Sequence, residues 1–180
     1  SLNKWHLTAL GVGATTTMMS VANALLLRPP AGVVEPGRLV TVHAMDQNGS
    51  SFHAFSYPGF QELEAAKSGR QSLAAYDMLA ASLRTGAEPE LEMGMLVSAQ
   101  SFATLGTRAG LGRLFSAEES RPGGAPVVVL SDGLWRRRFG ADPAILGRTV
   151  TINGQSLTVI GIAEPGFHGH FAGIDMTLWA

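Results

Sequence analysis

The side chains best suited to chemistry in this chain are two histidines near its carboxyl-terminal end, His168 and His170. Histidines at positions i and i+2 of an extended segment project to one face, where their ring nitrogens could ligate a metal ion. A metal site needs at least one more ligand, and His43, His53 and Asp175 qualify only if the fold gathers them. The simpler interpretation is a polar loop that contains two incidental histidines.

Asp132 and the pair Trp135 and Phe139 each allow a functional and a structural interpretation. Asp132 comes shortly after a predicted strand and could act as a nucleophile or an acid/base carboxylate, but a helix N-cap position explains it without chemistry. Trp135 and Phe139 lie four residues apart and fall on one face of a helix, which is typical of core residues. We therefore interpret all three as structural.

Sequence motifs for nucleotide, cofactor or metal chemistry are absent. No G-x-x-x-x-G-K-[ST] loop occurs, and neither of the two lysines, Lys4 and Lys67, follows a glycine. Gly11-Val12-Gly13 is half of a dinucleotide fingerprint without a preceding strand. The sequence has no nucleophile elbow and no HExxH helix. We predict no catalytic, cofactor-binding or metal residue, no cofactor and no enzymatic activity; any ATPase activity would reside on a separate chain.

The charge and the cysteine content argue against nucleic-acid binding and cysteine-based chemistry. The net charge is −1, and the one basic run, Arg136 to Arg138, is typical of the solvated face of a helix, so we expect no nucleic-acid partner. The chain has no cysteine, which excludes thiol catalysis and a disulfide framework. At 180 residues it can hold one globular domain with its own core plus a short appendage.

The appendage is the amino-terminal segment. Between Lys4 and Arg28 lie 23 residues without Asp, Glu, Lys or Arg, long enough as a helix to cross a bilayer core of about 30 Å. Arg28-Pro29-Pro30 ends this helix. The alternatives are a buried helix of a soluble domain and a signal segment cleaved after Ala22-Asn23-Ala24. We predict a transmembrane helix over residues 1–28.

The rest of the chain alternates short strands and helices. Residues 38–43 are predicted as a strand, 58–67 as a helix, 73–84 and 91–98 as two strands, and 99–105 as a helix. This β-α-β-β-α order begins a split βαβ layer that still lacks its last strand.

A loop rich in Gly and Pro over residues 116–126 then leads to a second module. Residues 127–130 form a predicted buried strand, Ser131-Asp132 caps a helix, and Asn153-Gly154 joins strands 149–152 and 157–162 as a hairpin. The final Leu178-Trp179-Ala180 is predicted to be extended with no closing partner strand. We therefore expect a fragment of a longer protein, incomplete at its carboxyl-terminal side.

The residues of this second module resemble a known family. The run VVVLSDGLWRRRFGADPAILGRTVTINGQSLTVIGIAEPGF is similar to the MacB-like periplasmic core domain of FtsX-like ABC transporter permeases, and the match continues back to ALGVGA and SVANALLLRP in the first helix. The closing PGFHGHFAGIDMTLW is most similar to the duplicated orphan permeases of that family.

The resemblance implies an α+β fold: one transmembrane helix at residues 1–28, a porter-like βαββα lobe at 29–115, and a second α+β lobe at 116–180. It also implies a location in the cell inner membrane with the globular domain in the periplasm, and partnership with the membrane, an ATP-binding cassette subunit and a permease dimer partner.

Three functional hypotheses follow. The leading one is a permease part that couples ATP hydrolysis on a separate subunit to movement of a periplasmic domain, for export or mechanotransmission. The second is a membrane-anchored extracytoplasmic binding module without transport activity. The third is a soluble periplasmic enzyme released by cleavage at Ala24.

Overall fold

The structure, a computed structural model, describes residues 31–43, 55–66, 72–86, 88–121, 123–171 and 173–180. The predicted membrane helix at residues 1–28 lies outside these ranges. Within them, no helix has the length and apolar character that a membrane span requires.

The described part is a mixed α+β domain. Two turns of 3-10 helix occur, at Pro36–Arg38 and Pro143–Ile145. The α-helices and β-strands follow one another as α1 (Tyr57–Ala66), β1 (Tyr76–Arg84), β2 (Pro89–Val97), α2 (Ser101–Leu105), β3 (Ala109–Gly112), β4 (Val127–Leu130), α3 (Asp132–Phe139), β5 (Thr149–Ile152), β6 (Gln155–Ala163) and β7 (Leu178–Trp179).

Most elements predicted from periodicity are confirmed, with ends shifted by a few residues. The predicted strand at residues 38–43 is wrong: Arg38 ends a 3-10 turn, and residues 39–43 have no regular secondary structure. Val40 and Val42 are 85% and 53% exposed. Alternating apolar residues favour a strand only where a neighbouring strand offers a hydrogen-bonding edge. None of the seven strands in the described part of the chain pairs with residues 39–43.

All seven strands of the described chain belong to one sheet, in the order β3-β6-β4-β7-β2-β1-β5. One edge of β6 pairs with β4. Its other edge pairs first with β5, through Gln155 to Thr158, and then with β3, through Gly161 to Ala163. Because β5 also pairs with β1 at Leu83 and Arg84, six strands close into a circuit and β3 extends it.

The position of β7 corrects the prediction that the final segment lacks a partner. Leu178 and Trp179 pair in parallel with Gly94 and Met95 of β2, and antiparallel with β4. Periodicity within a two-residue strand carries no information about its partners, because both come from distant parts of the chain. β7 is therefore an inner strand.

Two apolar clusters lie on opposite sides of the sheet. The first contains Leu83, Leu130, Val159 and Leu178, and α3 contributes Leu134 to it. The second contains residues of α2 and of the loop that joins β6 to β7: Phe102, Phe167, Met176 and Trp179, together with Met95, Val129 and Ala163. Burying one such large side chain contributes roughly 1.5–3 kcal/mol to stability. Alternate residues of the inner strands thus feed both clusters.

The predicted division into segments 1–28, 29–115 and 116–180 stays a prediction. Strands from both sides of residue 115 share the described sheet, since β7 and β4 lie between β2 and β6.

Candidate functional site

Helix α3 contacts β2, a strand from an earlier part of the chain, through its arginine side chains. Ser131 caps it, its hydroxyl accepting a hydrogen bond from the Leu134 amide at 3.1 Å, and Gly140 ends it at φ 59°. Trp135 and Phe139 pack against the first apolar cluster, as predicted. Asp132 is not the N-cap; it lies in the first turn of the helix, where its carboxylate accepts a hydrogen bond from Arg136.

The three arginines of α3 are ion-paired. Arg136 bonds Asp132 within the helix at 2.8 Å, whereas Arg137 and Arg138 reach across to Glu92 and Glu90 of β2. The expectation of a solvated face agrees with Arg136 and Arg137, whose side chains are 59% and 54% exposed, but it missed these cross-links. The side chain of Glu92 is only 9% exposed, so Arg137 supplies the hydrogen-bonding partner that a nearly buried carboxylate needs. The arginines therefore fasten α3 to β2.

The loop that follows β3 has its own internal anchor, Glu119. One carboxylate oxygen accepts a hydrogen bond from Arg113 at 2.7 Å, and the other accepts bonds from the amide and the hydroxyl of Ser116. The hydrogen bond from Arg113, followed by those from Ser116, lowers the pKa of Glu119 to about 2. This carboxylate is thus ionised at neutral pH and closes the loop.

A cleft of about 220 Å³ opens beside this loop. Its walls combine apolar side chains with Glu119 and Ser120, and it lies where β2 and β7 end and β4 begins. The lining includes Val97, Phe115, Val127, Leu157 and Ala180. Its polar groups are already used: Glu119 as above, and the Ser120 hydroxyl by the Ala99 amide. These hydrogen bonds join parts of the protein to one another, so we assign the cleft a structural role.

The structure does not bring His168 and His170 together as ligands of one metal ion. Nδ1 of His168 lies 3.8 Å from Oδ1 of Asp175, while the ring of His170 packs on Tyr76 instead. No group of three His, Cys, Asp or Glu side chains that could hold a metal ion occurs among the described residues. His53, Gly11 to Gly13 and both lysines lie outside the described residues.

Asn153 was predicted as a turn residue, but its side-chain contacts with β1 were not. Asn153 has φ 50° and Gly154 has φ 80°, as the predicted hairpin turn requires. The Asn153 side chain also accepts a hydrogen bond from the Ser82 amide and donates one to the Ala80 carbonyl, while its own amide donates to the Ser82 carbonyl. It thereby continues the pairing of β5 with β1. The Asn-Gly pair predicted the position of the turn, but it carries no information that β1 would lie beside it.

Comparisons with known proteins agree with this architecture. Residues 8–180 match the family described as the MacB-like periplasmic core domain. The fold is similar to the periplasmic region of MacB from Actinobacillus actinomycetemcomitans, with 21% identity, a TM-score of 0.57, and coverage of 75% of this chain and 58% of that one.

A second similar structure is the extracellular domain of the noncanonic ABC-type transporter YknZ from Gram-positive bacteria. The identity is 18%, the TM-score 0.55, and the coverage 69% of this chain and 61% of that chain. The chain thus spans about three fifths of each solved domain. No curated protein matches it.

Proposed function

The chain belongs to the family of MacB-like periplasmic core domains, and on this premise we propose that it is the outer part of an ABC-type permease that transmits movement across the membrane. In this proposal, residues 1–28 form a helix that spans the inner membrane, the globular domain lies in the periplasm, and ATP is hydrolysed on a separate subunit. The domain itself performs no catalysis.

The observation that carries the proposal is the family match, because residues 8–180 include most of the uncharged amino-terminal stretch together with the globular domain. Contacts that join the elements of the described domain support a mechanical role. Helix α3 is fastened to β2 by two ion pairs, and β7 is paired on both sides within the sheet. A domain whose elements are cross-linked in this way moves as a body when a helix attached to it shifts.

Topology is the first test. A carboxyl-terminal tag is placed on the chain, and its cleavage by protease is compared in intact cells and in spheroplasts, together with alkaline extraction of the membranes. We expect cleavage only in spheroplasts, on a chain that resists extraction. A tag that stays protected in spheroplasts, on a chain that is extracted, would overturn the proposal.

A second candidate is an anchored binding module, and one feature favours it. Met78, Leu91 and Met93, all on one face of the β1–β2 hairpin, are 45%, 76% and 38% exposed. Exposed apolar side chains that share a face are a frequent feature of interaction surfaces. The same hairpin could therefore contact a partner protein without any transport.

Distances within the full-length protein separate these two candidates. Residues 1–180 contain no cysteine, so spin labels are attached at Leu27→Cys and Leu91→Cys after any cysteine elsewhere in the full-length protein or in the ATPase subunit has been replaced. Mechanical transmission predicts a changed distance between the labels when the ATPase subunit binds ATP. A stationary module predicts the same distance with and without ATP.

A further inference from the structure

The loop between β6 and β7 holds an inner strand of the sheet in place. Its residues Phe167 and Met176 are 1% and 0% exposed and fill the second apolar cluster. The Met176 amide donates to the His168 carbonyl at 2.9 Å, and the Thr177 amide donates to the Met93 carbonyl at 2.7 Å. β7 begins at Leu178, directly after this loop. The contacts that hold the loop against the domain therefore also help to hold β7 between β2 and β4.

His170 seats the loop on β1 through ring contacts. Its ring centroid lies 4.3 Å from that of Tyr76, edge to face, and 4.4 Å from that of Phe171. Tyr76 and Phe171 also contact each other edge to face, at 5.4 Å. The Nε2 atom of His170 is buried and has no hydrogen-bond partner. This three-ring cluster suits a neutral imidazole and leaves one of its polar atoms unsatisfied.

We propose that His170 is a pH-sensitive latch: its neutral imidazole holds the β6–β7 loop on β1, and its protonation releases the loop. An imidazolium donates from both ring nitrogens, and the buried Nε2 has no acceptor within this cluster. The charged ring therefore has to reach water, which separates it from Tyr76 and exposes the second apolar cluster.

The surrounding charged groups do not offset the free-energy cost of protonating His170 in the closed loop. On β1, Asp77 follows Tyr76 and points to the opposite face of the strand, where it accepts a hydrogen bond from the Met78 amide. In the loop itself, His168 and Asp175 face each other with side chains 50% and 78% exposed. Burial alone lowers the pKa of His170, and no carboxylate contributes to the shift.

The direction of the pH effect follows from linkage. With the loop open, the pKa of His170 returns to the ordinary histidine value of about 6.5. With the loop closed it is lower, so the open form binds the proton more readily. The contribution of His170 to the closed form is therefore fully present above about pH 6.5, and between the two pKa values the opening equilibrium rises about tenfold for each unit that the pH falls.

Hydrogen exchange of the full-length protein in lipid nanodiscs tests the latch. Exchange of the loop amides, corrected for the intrinsic effect of pH, is compared at about pH 8 and about pH 5, on either side of the histidine value of about 6.5. We expect the corrected exchange of this loop to rise severalfold at the lower pH, with α3 unchanged. Equal corrected exchange at both values would overturn the proposal.

Two variants assign the effect to one side chain. His170→Phe keeps a ring on Tyr76 and cannot be protonated, so its loop exchange should be independent of pH. His168→Gln removes the neighbouring histidine and should respond as the unaltered chain does. A pH response that persists in His170→Phe, or disappears in His168→Gln, contradicts the latch. If His170→Phe does not fold, His170→Gln takes its place, since it also cannot be protonated and should make loop exchange independent of pH.

Discussion

Arg137 of α3 donates two hydrogen bonds from Nη2 to the two carboxylate oxygens of Glu92 in β2, at 2.9 and 3.1 Å. The residues are 45 positions apart in the chain. Glu92 lies at an inward position of β2, directly opposite Ala81 of β1, which is fully buried. This contact therefore ties a surface helix to an inner part of the sheet.

Removing the arginine should weaken the domain measurably. Arg137→Ala leaves the Glu92 carboxylate nearly buried without its partner, and we expect a loss of about 1–2 kcal/mol in the free energy of unfolding, measured with urea. The value is moderate because the guanidinium is half exposed and water can replace part of it.

The matched control is Arg136→Ala on the same helix. Its pair with Asp132 is made at the surface, so its removal should cost clearly less than that of Arg137. The double variant Glu92→Leu with Arg137→Leu should regain most of the lost stability, since no charge is then left buried. Equal losses from the two single alanine variants would contradict the role given to Glu92.

Gly161 of β6 should tolerate no side chain. A Cβ atom there would overlap the backbone of Arg113, which follows β3. Backbone atoms cannot rotate away as a side chain can, so Gly161→Ala should cost about 1–3 kcal/mol in thermal or urea unfolding. Gly86→Ala is the control, because a Cβ atom at Gly86 would meet nothing within 4 Å. An unchanged stability of Gly161→Ala would show that β3 and β6 lie farther apart.

Asn153 should be needed for its side chain as well as for its turn. Asn153→Gly keeps a residue that readily adopts positive φ but removes the bonds to the Ser82 amide and the Ala80 carbonyl. We expect a loss of about 1 kcal/mol and faster hydrogen exchange of the Ser82 amide. Asn153→Asp should lower the free energy of unfolding by more than the loss of one hydrogen-bond donor would, since its carboxylate would face the Ala80 carbonyl oxygen. Unchanged exchange at Ser82 would count against this bridge.

The loop anchored by Glu119 should loosen in acid. Its pKa is lowered from 4.5 to about 2, so its contribution is fully present above about pH 4.5 and is lost as the pH falls towards 2. Hydrogen exchange of the Ser116 amide should therefore increase, relative to its intrinsic rate, across this window. In Glu119→Gln the same amide should exchange faster already at neutral pH and respond much less to acid. A Gln variant with the protection and acid response of the unaltered chain would refute the anchor.

The sequence by itself determined the local elements. Strand β4, helix α3, strand β5 and the Asn153-Gly154 turn lie where their patterns predict them, because apolar periodicity, a serine cap and an Asn-Gly pair act within a few residues. The motifs around α3 also indicated the family, which the match over residues 8–180 confirms.

Tertiary structure alone decided which elements meet. The partners of β7, the pairing of Arg137 with Glu92 and the reach of Asn153 to β1 join residues far apart in the chain, and no local pattern encodes such contacts. It also placed His170 on Tyr76 rather than beside His168 and Asp175. The physical reason is that burial and pairing depend on which other elements lie beside a residue. Elements from distant parts of the chain come together only when the whole sheet has formed.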